Sequence, residues 1–238
     1  MRSLSGIIVI VFLVACKPEG RYDERKIFRY NDYAGVSSLD PAFSRTQSNI
    51  WVCNQIYNGL VQMDRDLNVQ PCLASSWTVS EDGKTYRFRL RNDVYFHRNA
   101  CFKDSTRKLV AKDVVYSFER LRSKELAAPG SWVFNKVDAF KAEGDTVVEI
   151  VLKEPFTPFL GILSMKYCSV IAPEAVAYYG ADFRENPVGT GPFYKRLWVE
   201  KEKLVLRRNM AYFEKDSVEN ALPYLESVAI SFIPDKQS

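Results

Sequence analysis

The sequence predicts a mixed α/β protein with several antiparallel strand pairs, and three stretches carry that expectation. At 85–90, Tyr86, Phe88 and Leu90 alternate with Arg87 and Arg89, the period-two pattern of a half-buried strand. At 111–121, Val114, Val115, Phe118 and Leu121 share one face of a helix, with Lys112, Asp113, Glu119 and Arg120 largely turned away. At 137–152, two apolar-rich runs flank Gly144-Asp145, a pair suited to the turn of a hairpin. Strands and helices alternating in this way, joined by tight turns, define the class.

The remaining elements follow in chain order. Residues 26–30 alternate as a first strand and lead into a turn-rich stretch at 31–41. Ile50, Cys53, Ile56, Tyr57, Leu60 and Val61 make a helical stripe over 50–61, in which Asn58-Gly59 is a stop signal. Glu81-Asp82-Gly83-Lys84 supplies the turn before the strand at 85–90. Pro155 and Pro158 mark a loop leading into a short apolar helix at 159–165. A second short helix at 173–179 has Pro173 at its start and Gly180 just past its end, the asymmetry helices favour. Residues 193–198 and 203–208 form a hairpin around Glu200-Lys201-Glu202, and 228–233 is a last strand.

The N-terminus speaks to location. Arg2 precedes an unbroken apolar run at 7–15, too short for a bilayer-spanning helix, which needs roughly 20 residues. It reads as the core of a signal peptide. Leu13-Val14-Ala15-Cys16 resembles a bacterial lipobox, in which the thiol of Cys16 takes a lipid after cleavage. The expected division is therefore a leader at 1–16 and a charged tether at 17–26, on the periplasmic or cell-surface side of a bacterial membrane.

Lys and Arg number 33 against 29 Asp and Glu, and loss of the leader removes only Arg2. The two signs are interspersed, which is not the footprint of a nucleic-acid binder. Cys53, Cys72, Cys101 and Cys168 remain after Cys16. They suit either two disulfides in any of three pairings or four plain core thiols. There is no CxxC or Cys/His cluster to hold zinc, and no metal or other cofactor is expected. His97 is the only histidine and has no second ligand or nucleophile beside it in the sequence, so it reads as structural. Gly189-Thr190-Gly191-Pro192 lacks the Lys and following helix of a phosphate loop. It reads as a tight interdomain turn whose glycines permit a backbone that other residues resist. Leu73 and Trp77 read as core anchors, and Asp40 before Pro41 as a turn residue.

Several segments carry a family resemblance by their order. They are Leu39-Asp40-Pro41, Ile56-Tyr57-Asn58-Gly59-Leu60-Val61, and the run from Pro71-Cys72-Leu73-Ala74 to Ser76-Trp77. Then come Asp82-Gly83-Lys84-Thr85-Tyr86, Ala111-Lys112-Asp113-Val114-Val115, Pro155-Phe156, and Asn186-Pro187-Val188-Gly189-Thr190-Gly191-Pro192-Phe193. Together these resemble the extracellular solute-binding proteins of family 5, the dipeptide- and oligopeptide-binding group, over about 27–235. One loop departs from the pattern: after Phe96-His97 the family's glycine is replaced by Asn99-Ala100-Cys101 and extra residues.

The resemblance implies a two-lobed, type II periplasmic-binding-protein fold. Residues 27–49 and 165–238 would build the first lobe and 50–164 a smaller inserted domain, with the second lobe largely missing. It further implies a monomeric, lipid-anchored, non-enzymatic substrate-binding protein that captures peptides for the permease of an ABC importer. The alternatives within the fold are nickel, haem or an oligosaccharide, since fold does not dictate ligand. A periplasmic enzyme is disfavoured because no nucleophile is paired with a base. For ligand contact, the family implies the loop after Leu-Asp-Pro, here Arg45, Thr46 and Gln47. From the inserted domain it implies Ser131 and Trp132, with Trp132 either an aromatic wall or a core residue.

Overall fold

The computed structural model describes residues 26–234. The expected leader at 1–16 with Cys16, and most of the expected tether at 17–26, lie outside the described residues. Among the described residues there are ten strands, in two four-stranded sheets and one small ribbon, and four α-helices.

The first sheet draws on both ends of the chain. Its order is β1 (Ile27–Asn31), β10 (Ser227–Ser231), β9 (Lys203–Arg208) and β8 (Phe193–Val199). β1 pairs with β10 in parallel, while β10–β9 and β9–β8 are antiparallel. Val228, Ile230, Leu204 and Leu206 stand in register on one buried face, and α1 (Gln47–Ile56) packs over its β8 end.

The second sheet is wholly antiparallel, in the order β4 (Ala74–Val79), β5 (Thr85–Leu90), β7 (Val147–Leu152), β6 (Val137–Glu143). β5 and the 137–152 hairpin lie where the period-two patterns place them, and Gly83 and Gly144 take positive φ in their turns. α2 (Ala111–Arg122) packs against β6 and β7. Its Phe118 ring sits 4.8 Å from Phe134 and 5.4 Å from Phe140, a close aromatic cluster. The ribbon β2 (Val61–Met63) with β3 (Val69–Pro71) precedes this sheet. α3 (Phe159–Leu163) and α4 (Pro173–Tyr179) return the chain to the first sheet. One continuous apolar core joins both halves, running from Leu206 and Ile56 through Leu73 to Phe88 and Phe118.

Three local expectations are revised, and three strands appear where none was expected. α1 begins three residues earlier than the stripe at 50–61 and ends at Ile56. Thr46 caps its start, accepting from the Asn49 N–H at 3.3 Å, and Tyr57 is already extended. Leu60 and Val61 are buried in the following segment instead. β2, β3 and β4 carry polar residues (Gln62, Gln70, Ser75, Ser76) that hide their alternation. On α2, Asp113 and Arg120 turn inward, because each meets an opposite charge from elsewhere in the chain. Asp113 binds Arg107 at 2.7 and 2.8 Å and accepts from the Val110 N–H at 2.8 Å.

The Gly189–Gly191 turn is tight for a different reason from the one expected. Neither glycine has positive φ. A Cβ on Gly189 would stand 2.7 Å from the Tyr57 ring, and one on Gly191 would stand 2.5 Å from the Ile56 carbonyl carbon. The turn is wedged against the end of α1, so the missing side chain matters rather than the backbone angle.

Candidate ligand-binding site

The loop after β1 is fastened from below. Leu39 is fully buried and Asp40 nearly so. The Asp40 carboxylate accepts from the Ala42 N–H at 3.0 Å, capping the short turn Pro41–Phe43. The Arg120 guanidinium reaches it from α2 in a two-pronged ion pair of 2.6 and 3.2 Å. Arg120 also lies over the Phe183 ring, 5.4 Å from its centroid. From this anchored base the chain rises through Ser44 to Arg45, Thr46 and Gln47, all exposed.

A cavity of about 510 Å³ opens beside this loop, within the range of small-ligand sites. Ser37, Asp40, Phe43, Arg45, Arg120 and Arg184 are among the residues lining it. Its charges divide simply. Asp40 is matched by Arg120, and Arg184 by its exposed neighbour Glu185. Arg45 has no ion-pair partner among the described residues, so the rim is positive at that point.

Ser131 and Trp132 begin a second short turn, Ser131–Phe134. Val133 and Phe134 enter the core, Ser131 is half-buried, and Trp132 is 49% exposed. The indole therefore stands outside the core, unlike the core alternative for this residue. A Cβ on the preceding Gly130 would stand 2.9 Å from Tyr167 Cβ. Tyr167 belongs to the turn Lys166–Cys168, which packs against Pro41–Phe43. The five expected residues thus fall in two groups, each close in sequence to residues that approach the 166–168 turn. Arg45 lines the cavity, whereas Thr46, Gln47, Ser131 and Trp132 do not.

Arg120 and Arg184 join the site without having been singled out from sequence. Arg120 was masked by its place among charged positions on α2, and Arg184 lies in an irregular turn, Gly180–Arg184. The only usable signal was the pairing of an isolated Asp40 with a cation, which requires knowing the tertiary approach.

His97 is elsewhere and has its own work. Its ring is buried, with Nε2 donating to the Gly191 carbonyl at 2.9 Å and Nδ1 facing the Gly189 N–H at 3.4 Å. Burial depresses its pKa to about 4, so it is neutral and joins the 189–191 turn to the 94–97 segment. The four described cysteines are free thiols, which settles the open choice in favour of unpaired sulfurs. Burial pushes the Cys53 and Cys72 thiols up to about 12. A second concavity, about 420 Å³ between α1 and the first sheet, is lined by Phe28, Tyr30, Trp51 and Phe193 and lacks charged groups to orient a polar solute.

The model of the bacterial extracellular solute-binding proteins, family 5 (middle region), matches residues 68–238. The chain belongs to that family. Among family 5 relatives, it is 34% identical over 197 residues to the dipeptide-binding protein of Escherichia coli K12, covering 76% of this chain and 36% of the relative. It is 28% identical over 205 residues to the glutathione-binding protein GsiB of Salmonella choleraesuis, covering 86% of this chain and 38% of the relative. The solved periplasmic binding protein DppA of Helicobacter pylori, in complex with the peptide STSA, superposes with a TM-score of 0.78 at 30% identity. That match covers 89% of this chain and 44% of the other.

This family 5 chain therefore has the type II periplasmic-binding-protein fold and spans well under half the length of the relatives it matches. These relatives are named as binding proteins.

Proposed function

We propose that this chain is part of the solute-capturing component of an ABC importer, that its cargo is short peptides, and that a lipid on Cys16 holds it at the membrane. The observation that carries the reading is convergence of ligand. The E. coli, Salmonella and H. pylori relatives are named for a dipeptide, for glutathione and for a bound peptide.

Residues 27–49 with 165–238 are read as the first lobe, and 50–164 as a domain inserted in it. The strand content supports this division: the first sheet draws on the former segments and the second on the latter. In this reading the Arg45–Gln47 loop and the Ser131–Trp132 turn face the ligand. A peptide varies in its side chains but not in its backbone or termini. A general binder therefore holds main-chain and terminal groups and leaves side chains roomy pockets. Closure of a second lobe over the peptide would exclude water and strengthen each polar contact, with the importer's permease receiving the closed form.

The test is uptake in the organism that carries the gene. Deleting the gene should cut uptake of a radiolabelled dipeptide at least about tenfold and leave free amino-acid uptake unchanged. Normal dipeptide and glutathione uptake in the deletion strain would overturn the reading.

A further inference from the structure

We propose that Arg45 receives a carboxylate of the bound solute. The proposal rests on the peptide-binding reading above and gives its cavity a chemical preference. Three observations meet at this residue. The first is charge. Among the groups lining the cavity, Asp40 is taken up by Arg120 and Arg184 is answered by Glu185, which leaves the Arg45 guanidinium without a partner among the described residues.

The second is the backbone beside it. Arg45 immediately precedes Thr46, the N-cap of the ten-residue helix α1. The Thr46 hydroxyl satisfies the Asn49 amide, but the Gln47 and Ser48 amides at the helix start have no acceptor within the helix. The positive end of the helix dipole therefore begins next to Arg45 in the chain, on residues that do not themselves line the cavity, and adds to the positive potential at its rim.

The third is the wall. Phe43, Leu126 and Phe183 line the cavity beside the arginines and lower the local dielectric, which strengthens a contact between a guanidinium and an anion. The Asp40–Arg120 pair holds this wall and the base of the Arg45 loop together, so the guanidinium is presented from a fixed base. A planar fork of N–H donors fits a carboxylate in two-pronged fashion, which an ammonium does not.

A peptide offers a carboxylate from two sources, its C-terminus or an acidic side chain. The experiment separates them by comparing uptake of Ala-Ala, Ala-Ala amide and Ala-Glu amide in strains with wild-type protein, Arg45→Gln or Arg45→Lys on the chromosome. Arg45 is exposed and has no ion-pair partner among the described residues, so the variants should fold. Immunoblot abundance and the thermal midpoint of the purified proteins check this.

If the C-terminal carboxylate is held, Arg45→Gln raises the half-saturating concentration of Ala-Ala about tenfold to a hundredfold, the loss expected for one charge-assisted contact. Wild type should then handle Ala-Ala amide as poorly as the variant does. If an acidic side chain is held, Ala-Glu amide suffers that loss and Ala-Ala does not. In both cases Arg45→Lys recovers part of the affinity. Uptake of all three peptides unchanged in Arg45→Gln would overturn the carboxylate proposal and leave the peptide-binding reading standing. Failure of the wild type to take up any of them would bring down both.

Discussion

Replacing Arg120 with Met removes one partner of a nearly buried ion pair and leaves the other in place. The Asp40 side chain is 5% exposed and that of Arg120 14%. Water therefore cannot readily replace the guanidinium, and the uncompensated carboxylate carries its desolvation penalty. For a buried pair broken on one side, that cost is about 3–5 kcal/mol. Since a folded chain holds only about 5–15 kcal/mol in reserve, the loss is large. For a chain of this size it corresponds to a fall in melting midpoint of about 6–20 °C. Urea unfolding of the full chain followed by circular dichroism measures it. Asp40→Asn with Arg120→Met should cost less than the two singles added, because the double variant no longer buries a lone charge. Lys136→Met breaks an ion pair in which both side chains are largely exposed, and should leave the midpoint nearly unchanged. If Arg120→Met is no more destabilising than Lys136→Met, burial is not what gives the Asp40 pair its weight.

Two other outcomes follow from the same structure, and a third from the proposed lipid anchor. His97 has a folded pKa of about 4 against 6.5 unfolded, so the unfolded chain binds the extra proton between these values. Its contribution, up to about 3 kcal/mol, is fully present above pH 6.5 and is lost as pH falls towards 4. Denaturant midpoints should therefore fall more steeply from pH 7 to 4.5 for wild type than for His97→Gln; equal slopes would count against a buried neutral imidazole. Gly189→Ala places a methyl 2.7 Å from the Tyr57 ring and 2.9 Å from the Ile56 carbonyl carbon. It should cost about 3 kcal/mol or more. At Gly161 on α3 the nearest atom is the Met63 methyl at 3.4 Å, so Gly161→Ala should be neutral or stabilising by up to about 1 kcal/mol, and thermal melts of the pair test the contrast. Finally, Cys16→Ser should abolish incorporation of labelled palmitate and release the protein from the membrane fraction, whereas unchanged labelling would place the lipid elsewhere.

Much of the scaffold was legible without coordinates. The period-two run at Tyr86, Phe88 and Leu90, the face of Val114, Phe118 and Leu121, and the Pro173–Gly180 brackets of α4 are signals written into neighbouring residues. The limits of α1 were less clear, since an apolar residue such as Leu60 satisfies a helical stripe and a buried loop equally well. Arg120 was hidden because a charged residue on a helix is normally solvated. Only the approach of Asp40, 80 residues away, makes the inward position favourable.

The candidate site divides along the same line. By itself, the sequence determined the class of fold, the family resemblance, and the loop at 45–47 as a place to look. The tertiary structure decided which charges cancel and which one is left at the cavity rim. It also decided that Trp132 stands half-exposed, and that His97 serves the Gly191 carbonyl 94 residues away. Periodicity, capping and turn chemistry are properties of adjacent residues and can be read locally. Charge neutralisation and steric closeness arise between residues far apart in the chain, and they take definite values only once folding has brought those residues together.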